Sequence, residues 1–175
     1  CTWFGGMEEG KPDGSIYFTR LPAGTNQWTP EIKVSDDPER SEQNPVLFQA
    51  PSGDLWLIWT GQLFGNQATA IVRRRISKDG GRSWGDIETM FDEVGTFIRQ
   101  PMLVLGNGDW ILPIFQCLPV PGEEWKGQND VSAVKISSDQ GKTWAEYAVP
   151  DSKGAVHMNI VQRKDGTLAA FFRSR

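Results

Sequence analysis

Ser77-Lys78-Asp79-Gly80-Gly81-Arg82-Ser83-Trp84 and Ser137-Ser138-Asp139-Gln140-Gly141-Lys142-Thr143-Trp144 are two copies of one pattern, S-x-D-x-G-x-x-W, sixty residues apart. As local chemistry the pattern is a turn. Ser and Asp side chains bond nearby backbone N–H groups, Gly supplies the left-handed conformation, and Trp packs back on the adjoining strands. A degenerate third copy runs from Leu21 to Trp28, its Trp lying 56 residues before Trp84. Ser77, Asp79, Gly81 and Trp84, with Ser137, Asp139, Gly141 and Trp144, are therefore read as structural. Neither Asp79 nor Asp139 is taken for a catalytic acid or a metal ligand.

A second element recurs in step with the first. Asn44-Pro45-Val46-Leu47-Phe48 leads to Gly53-Asp54-Leu55-Trp56-Leu57-Ile58-Trp59, and Gln100-Pro101-Met102-Leu103-Val104 leads to Gly108-Asp109-Trp110-Ile111-Leu112. Asn159-Ile160-Val161 leads to Asp165-Gly166-Thr167-Leu168-Ala169-Ala170-Phe171-Phe172 in the same way. Each is a hairpin: a short apolar run, a turn with Asp or Asn and Gly, then a longer apolar run. Two hairpins per period of 55–60 residues make a four-stranded sheet, and sheets repeated at that period predict an all-β fold, a β-propeller. The expected blades span 1–32, 44–90, 99–149 and an incomplete 155–175, all in one partial domain.

Composition agrees with many short strands: 8 Trp, 9 Phe, 19 Gly and 11 Pro in 175 residues. The net charge of −4 gives no bulk attraction to nucleic acid or an anionic membrane, and no apolar run approaches the length of a membrane span. The basic run Arg73-Arg74-Arg75 alternates faces on a strand and is expected at a solvated edge. Cys1 and Cys117 form no disulfide framework or Cys/His cluster, and His157 is the lone histidine, so neither a metal nor a cofactor is expected. Cys1-Thr2-Trp3-Phe4 reads as the middle of a strand, and the natural N-terminus is expected upstream of it. The compartment stays open, with a secreted or periplasmic setting favoured over the cytoplasm.

The S-x-D-x-G-x-x-W turns resemble the Asp-box, or bacterial neuraminidase repeat, of the sialidase superfamily. Nearly the whole chain resembles sialidase-like proteins that carry F-G-G-x-x-E-G-x-P-D, found here from Phe4 to Asp13. That resemblance implies a six-bladed ring, of which about three blades and part of a fourth are present. The remainder is then expected in another chain, in a self-associated copy, or in sequence not included here.

In a propeller, ligands bind at one mouth of the central channel, so polar groups flanking the innermost strands are the informative ones. Three segments match sialidase motifs. The stretch Trp3–Ile16 resembles the segment where an inner strand meets a Gly-rich loop carrying the acid/base Asp, which makes Asp13 the first candidate, with Glu9 and Glu8 behind it. A solvated acidic loop is the alternative. Arg40-Ser41-Glu42-Gln43-Asn44-Pro45 resembles the R-S-x-x-N-P element and makes Arg40 and Asn44 candidate substrate contacts, against a surface ion pair of Arg40 with Glu39 or Glu42. The stretch Asp165–Arg175 resembles D-G-x-L-L-x-x-x-R, whose Arg grips the substrate carboxylate. Arg173 takes that place, against a plain strand-edge charge, and Arg175 points to the same face.

Arg99 joins them as the charged residue opening the third blade. Sialidases also carry a Glu that activates a Tyr nucleophile; its place falls near His157, and no Glu occurs between Asp151 and Arg175. A histidine there is a candidate base, or simply a packed histidine. Trp110 and Trp125 are read as exposed aromatics that stack on sugar rings, or as blade fillers. The expected substrate is an acidic glycan, cleaved by a sialidase-like exo-glycoside hydrolase. The alternatives are a polysaccharide lyase acting on uronate glycans and a non-catalytic carbohydrate-binding propeller.

Overall fold

The computed structural model describes residues 1–123 and 125–175, which form fourteen β-strands and no helix. The chain divides into two compact units, Cys1–Val94 and Gly95–Arg175.

The first unit holds two antiparallel sheets. One contains β1 (Thr2–Gly5), β2 (Ser15–Phe18) and β3 (Ile32–Lys33) in that order. The other runs β4 (Arg40–Gln49), β5 (Leu55–Leu63), β6 (Asn66–Ser77) and β7 (Glu88–Phe91), each strand paired to the next. Strand β5 is buried on both faces from Trp56 to Gln62, which explains its unbroken apolar run. Leu57 and Trp59 pack with Ile16, Phe18 and Val34 into a shared core. Burying each such side chain is worth about 2 kcal/mol before entropy is counted.

The second unit repeats the plan. Its larger sheet contains β8 (Thr96–Ile98), β9 (Leu103–Val104), β10 (Trp110–Gln116), β11 (Val131–Ser137) and β12 (Ala145–Ala148). Strands β8 and β9 both pair with β10 and act as one interrupted first strand. A final hairpin joins β13 (Ala155–Gln162) to β14 (Leu168–Ser174). Ile111, Met158 and Ile160 form the buried centre of this unit, with Leu103, Val134 and Ile136 packed against it.

The first strand of each repeat after the first is broken at a corresponding place. Pairing of β4 with β5 steps from Gln43↔Thr60 to Val46↔Ile58, so β4 carries one extra residue. Pairing of β13 with β14 steps from Val156↔Arg173 to Asn159↔Phe171, again one extra residue. Asn44 and His157 occupy these bulges with φ of 51° and 56°, a left-handed backbone seldom adopted by non-glycine residues. Between β8 and β9 the ladder skips Arg99–Met102, and Pro101, which has no N–H to donate, lies in the gap.

Several expectations from sequence are corrected here. Pairing in the second sheet begins at Arg40, four residues before Asn44, because Arg40–Gln43 pair with Thr60–Leu63 ahead of the bulge. Arg73, Arg74 and Arg75 lie on β6, an interior strand paired on both sides, and not at an edge. Each is half-buried. Arg73 pairs with Asp37 and Glu42, Arg74 with Glu88, and Arg75 donates to the carbonyls of Val34, Trp84 and Gly85. Trp110 is core and not an exposed aromatic, at 3% exposure, since it faces inward from β10. The Leu21–Trp28 copy lacks the Ser–Asp pair: a Thr25 N–H bond to the Pro22 carbonyl closes it, and Trp28 is exposed.

Candidate functional site

The two S-x-D-x-G-x-x-W segments lie between the third and fourth strands of their sheets. Ser77 Oγ donates to Asp79 Oδ1 (2.8 Å) and accepts the Gly81 N–H (2.8 Å). Asp79 Oδ1 also accepts the N–H groups of Arg82 and Ser83, and Oδ2 accepts the Ser83 hydroxyl at 2.6 Å. Ser137, Asp139, Gly141, Lys142 and Thr143 repeat each bond. The hydroxyl of Thr143 and its N–H hold the Asp139 carboxyl down at about 2, and Ser83 holds Asp79 lower still. Acids so committed have no proton to give near neutral pH. Trp84 packs edge-on against Phe18, with centroids 5.1 Å apart.

In the second unit, four of the candidates come together. His157 lies in the β13 bulge, its ring 5.2 Å from that of Phe115 on β10. Burial, and then the positive charges of Arg99, Arg173 and Arg175, hold the His157 imidazole down at about 4. The ring is therefore neutral at pH 7. Arg99 and Arg173 are exposed and carry no ion pair among the described residues. Arg175 is committed inward. Its Nη2 lies 2.8 Å from Asp130 Oδ2, and its guanidinium sits 4.8 Å from the Trp125 ring centre. Asp130 is fully buried and accepts from Trp125 Nε1 and the Leu118 N–H, both at 3.0 Å. A side chain at Gly127 would collide with Arg175, since a Cβ there would lie 2.6 Å from its Nε.

Two residues here went unremarked in the sequence. Phe115 was one apolar residue in a strand, and Asp130 lies 45 residues from the Arg175 it holds. Trp125, read as a sugar platform, instead carries Arg175 and anchors Asp130.

The first unit holds the other candidates. Arg40 Nη1 donates to the carbonyls of Gly61 (3.2 Å) and Thr69 (3.1 Å), and its Nε lies 3.7 Å from Asp37. Neither Glu39 nor Glu42 is its partner; Asp37 is. Asp37 also pairs with Arg73 at 3.0 Å, and Arg73 lies 3.4 Å from the fully buried Glu42. Trp59 Nε1 donates to Glu42 at 2.7 Å. Burial pushes the Glu42 carboxyl up, and bonds from Ser35 and Trp59 with the charge of Arg73 pull back against it. Asp13 is exposed, and its Oδ2 accepts the Met7 N–H at 2.6 Å, closing the loop that carries Glu8 and Glu9. Glu8 pairs with Lys11 at 3.7 Å. Among the described residues, no group of three His, Cys, Asp or Glu is placed to hold a metal.

Antiparallel sheets at a sixty-residue period, each of the two larger ones closed by an Asp-box turn, define a sialidase-superfamily β-propeller fold present in part. The chain belongs to the BNR repeat-like domain family, whose model matches residues 1–175. Solved structures agree. A protein of unknown function from Dyadobacter fermentans DSM 18053 superposes with a TM-score of 0.73 at 19% identity, over 98% of this chain and 54% of that one. Hadza microbial sialidase Hz136 gives 0.73 at 13% identity, over 94% of this chain and 36% of its own. The Trypanosoma rangeli sialidase in complex with the inhibitor DANA gives 0.66 at 11% identity, over 96% and 30%. The chain thus spans about half of the first and about a third of the two sialidases. A search of curated protein sequences gave no match. The fold is shared with both sialidases.

Proposed function

We propose that this chain is part of a sialidase-like exo-glycoside hydrolase acting on an acidic sugar, of the sialic acid or uronate type. The observation that carries the reading is the pair of unpaired guanidinium groups, Arg99 and Arg173, beside the neutral ring of His157. A planar fork of N–H donors suits a carboxylate, stays charged at any working pH, and loses nothing to an internal partner. Arg175, held by Asp130, adds positive potential without being spent on the ligand. The resemblance of the 3–16 stretch gives Asp13, with Glu9 as the alternative, the role of proton donor to the leaving oxygen, through an oxocarbenium-like transition state. The R-S-x-x-N-P resemblance likewise gives Arg40 and Asn44 the role of substrate contacts.

The neutral imidazole supports a second reading. A His157 that is unprotonated at pH 7 is in the form needed to take a proton beside a uronate carboxylate, which is lyase chemistry. Assays on the full-length protein separate the two. Release of sialic acid or a uronate, lost in Asp13→Asn and weakened about tenfold or more in Arg173→Ala, supports the hydrolase. Unsaturated uronate products that vanish in His157→Gln support the lyase. Binding of acidic sugars without turnover makes the protein a binding module. No binding in any of these tests ends the acidic-sugar reading.

A further inference from the structure

A depression of about 450 Å³ opens in the first unit beside the Asp-box turn that follows β6. Both sheets line it: Phe18, Arg20, Pro30 and Ile32 come from the first, Gly81 and Arg82 from the turn of the second. This is the end of the second sheet farthest from Arg40. Arg40 pairs with Leu63 and Ser77 with Leu55, so the length of β5, about 26 Å, lies between them. No residue of the depression has a part in the catalytic reading above.

Two guanidinium groups meet there over apolar side chains. Arg20 follows β2, and its backbone is pinned across the Leu21–Trp28 loop. Its N–H donates to Thr29 Oγ1 at 3.1 Å, and its carbonyl accepts the Thr29 N–H at 2.8 Å. The Arg20 stem passes Gly81, where a Cβ would lie 3.5 Å from Arg20 Cδ and 2.6 Å from Phe18 Cζ. Arg82 Nη1 donates to the Asp79 carbonyl at 2.7 Å, and its other side-chain N–H groups have no partner among the described residues. Arg20 is half-buried, and its guanidinium has no partner at all among them. No acid is free to serve. The Asp79 carboxylate is taken up by Ser77, Ser83 and the Arg82 N–H, and the exposed Glu31 pairs with neither arginine. A guanidinium that merely snorkels to water needs no second cation beside it. Arg20 has given up part of its water for no counter-charge, a cost that a bound anion offsets.

We propose that this depression binds a monocarboxylate carried on an apolar body, an aryl or medium-chain alkyl acid. The carboxylate accepts from Arg20 and Arg82, whose planar forks suit its two oxygens. The hydrocarbon part covers Pro30 and Ile32, the latter 43% exposed. An acidic sugar would set its hydroxyls against that apolar floor without hydrogen-bond partners, so the depression takes a different acid from the arginines of the second unit.

Amide NMR on the full-length protein tests it, with benzoate and hexanoate as probes, benzamide as the uncharged match and N-acetylneuraminic acid as the acidic sugar. At least one probe should shift the amides of Arg20, Ile32, Gly81 and Arg82 in a saturable way. Arg20→Gln and Arg82→Gln should each weaken that binding about tenfold, in spectra otherwise native. Ile32→Ser should weaken it about fivefold. Arg173→Ala should leave it unchanged, whatever becomes of the acidic-sugar reading. The proposal is overturned if neither probe moves these amides, or if benzamide or N-acetylneuraminic acid moves them as strongly. It is equally overturned if the double variant Arg20→Gln, Arg82→Gln binds like the native protein, or if Arg173→Ala abolishes the shifts.

Discussion

The turns after β6 and β11 can be laid over one another bond by bond. The Ser–Asp bond is 2.8 Å in both, the Gly N–H to Ser Oγ bond is 2.8 and 2.7 Å, and the last hydroxyl reaches its Asp at 2.6 Å in both. The bulges in β4 and β13 match in backbone only. Each adds one residue and turns its central residue to positive φ, yet one presents Asn44 and the other His157. Their surroundings differ as well. Two residues before Asn44 lies the buried acid Glu42, and the corresponding neighbour of His157 is Ala155. Repetition in this chain maintains the turns between third and fourth strands as structure. At the first strands it keeps a backbone device that re-aims a side chain and lets the chemistry vary.

The largest effect should come from breaking what the two bulges do not share. Glu42→Ala leaves Arg73 and Trp59 without their buried partner, and should cost about 3 kcal/mol by denaturant unfolding, the low end for a buried pair because Arg73 keeps some water. If Ala155→Ser costs as much, the asymmetry between the bulges is not real. Next come the turns. Ser77→Ala and Ser137→Ala each strip the buried Gly N–H of its acceptor and should cost about 1–3 kcal/mol, by amounts that agree within about 0.5 kcal/mol. Unequal losses would show that equal bond lengths conceal unequal roles.

Backbone strain is a smaller matter. Asn44→Gly and His157→Gly should leave stability within about 1 kcal/mol, whereas Val at either place should cost about 1–2 kcal/mol, because its branched side chain resists positive φ. The least effect is the pH dependence. An unfolded histidine takes up its proton near 6.5 and His157 only near 4, so stability should fall as pH drops from 6.5 to 4, and be level above that window. His157→Gln should flatten the decline, read by denaturant titration across that range. An acidic ligand bound to Arg99 and Arg173 should raise the His157 midpoint in an NMR titration, by offsetting their charge.

Much of the fold was legible because local rules and the long period pointed to the same sheets. The turns declared themselves through Ser, Asp, Gly and Trp at fixed spacing. The bulges did not. Asn44-Pro45 and Gln100-Pro101 look like strand beginnings, since proline punctuates, and only pairing partners reveal that β4 is already under way at Arg40. For the candidate site, Arg99, His157 and Arg173 could be named from their places beside first strands, but their commitments could not. Arg175 looks as available as Arg173 until the distant Asp130 is seen beneath it. The Arg73-Arg74-Arg75 run looks solvated until β7 is found on its far side.

Pro45 has one more consequence. A chain of similar hairpins risks misalignment, and a two-residue slide of β4 along β5 would keep every side chain on its proper face, so hydrophobicity alone would hardly object. Proline objects. In the native alignment it occupies the unpaired step between Gln43↔Thr60 and Val46↔Ile58; moved onto a hydrogen-bonded rung facing β5, it would confront a carbonyl with no hydrogen to offer. The missing donor thus proofreads the zipper, and Pro101 stands ready to do the same for its own sheet.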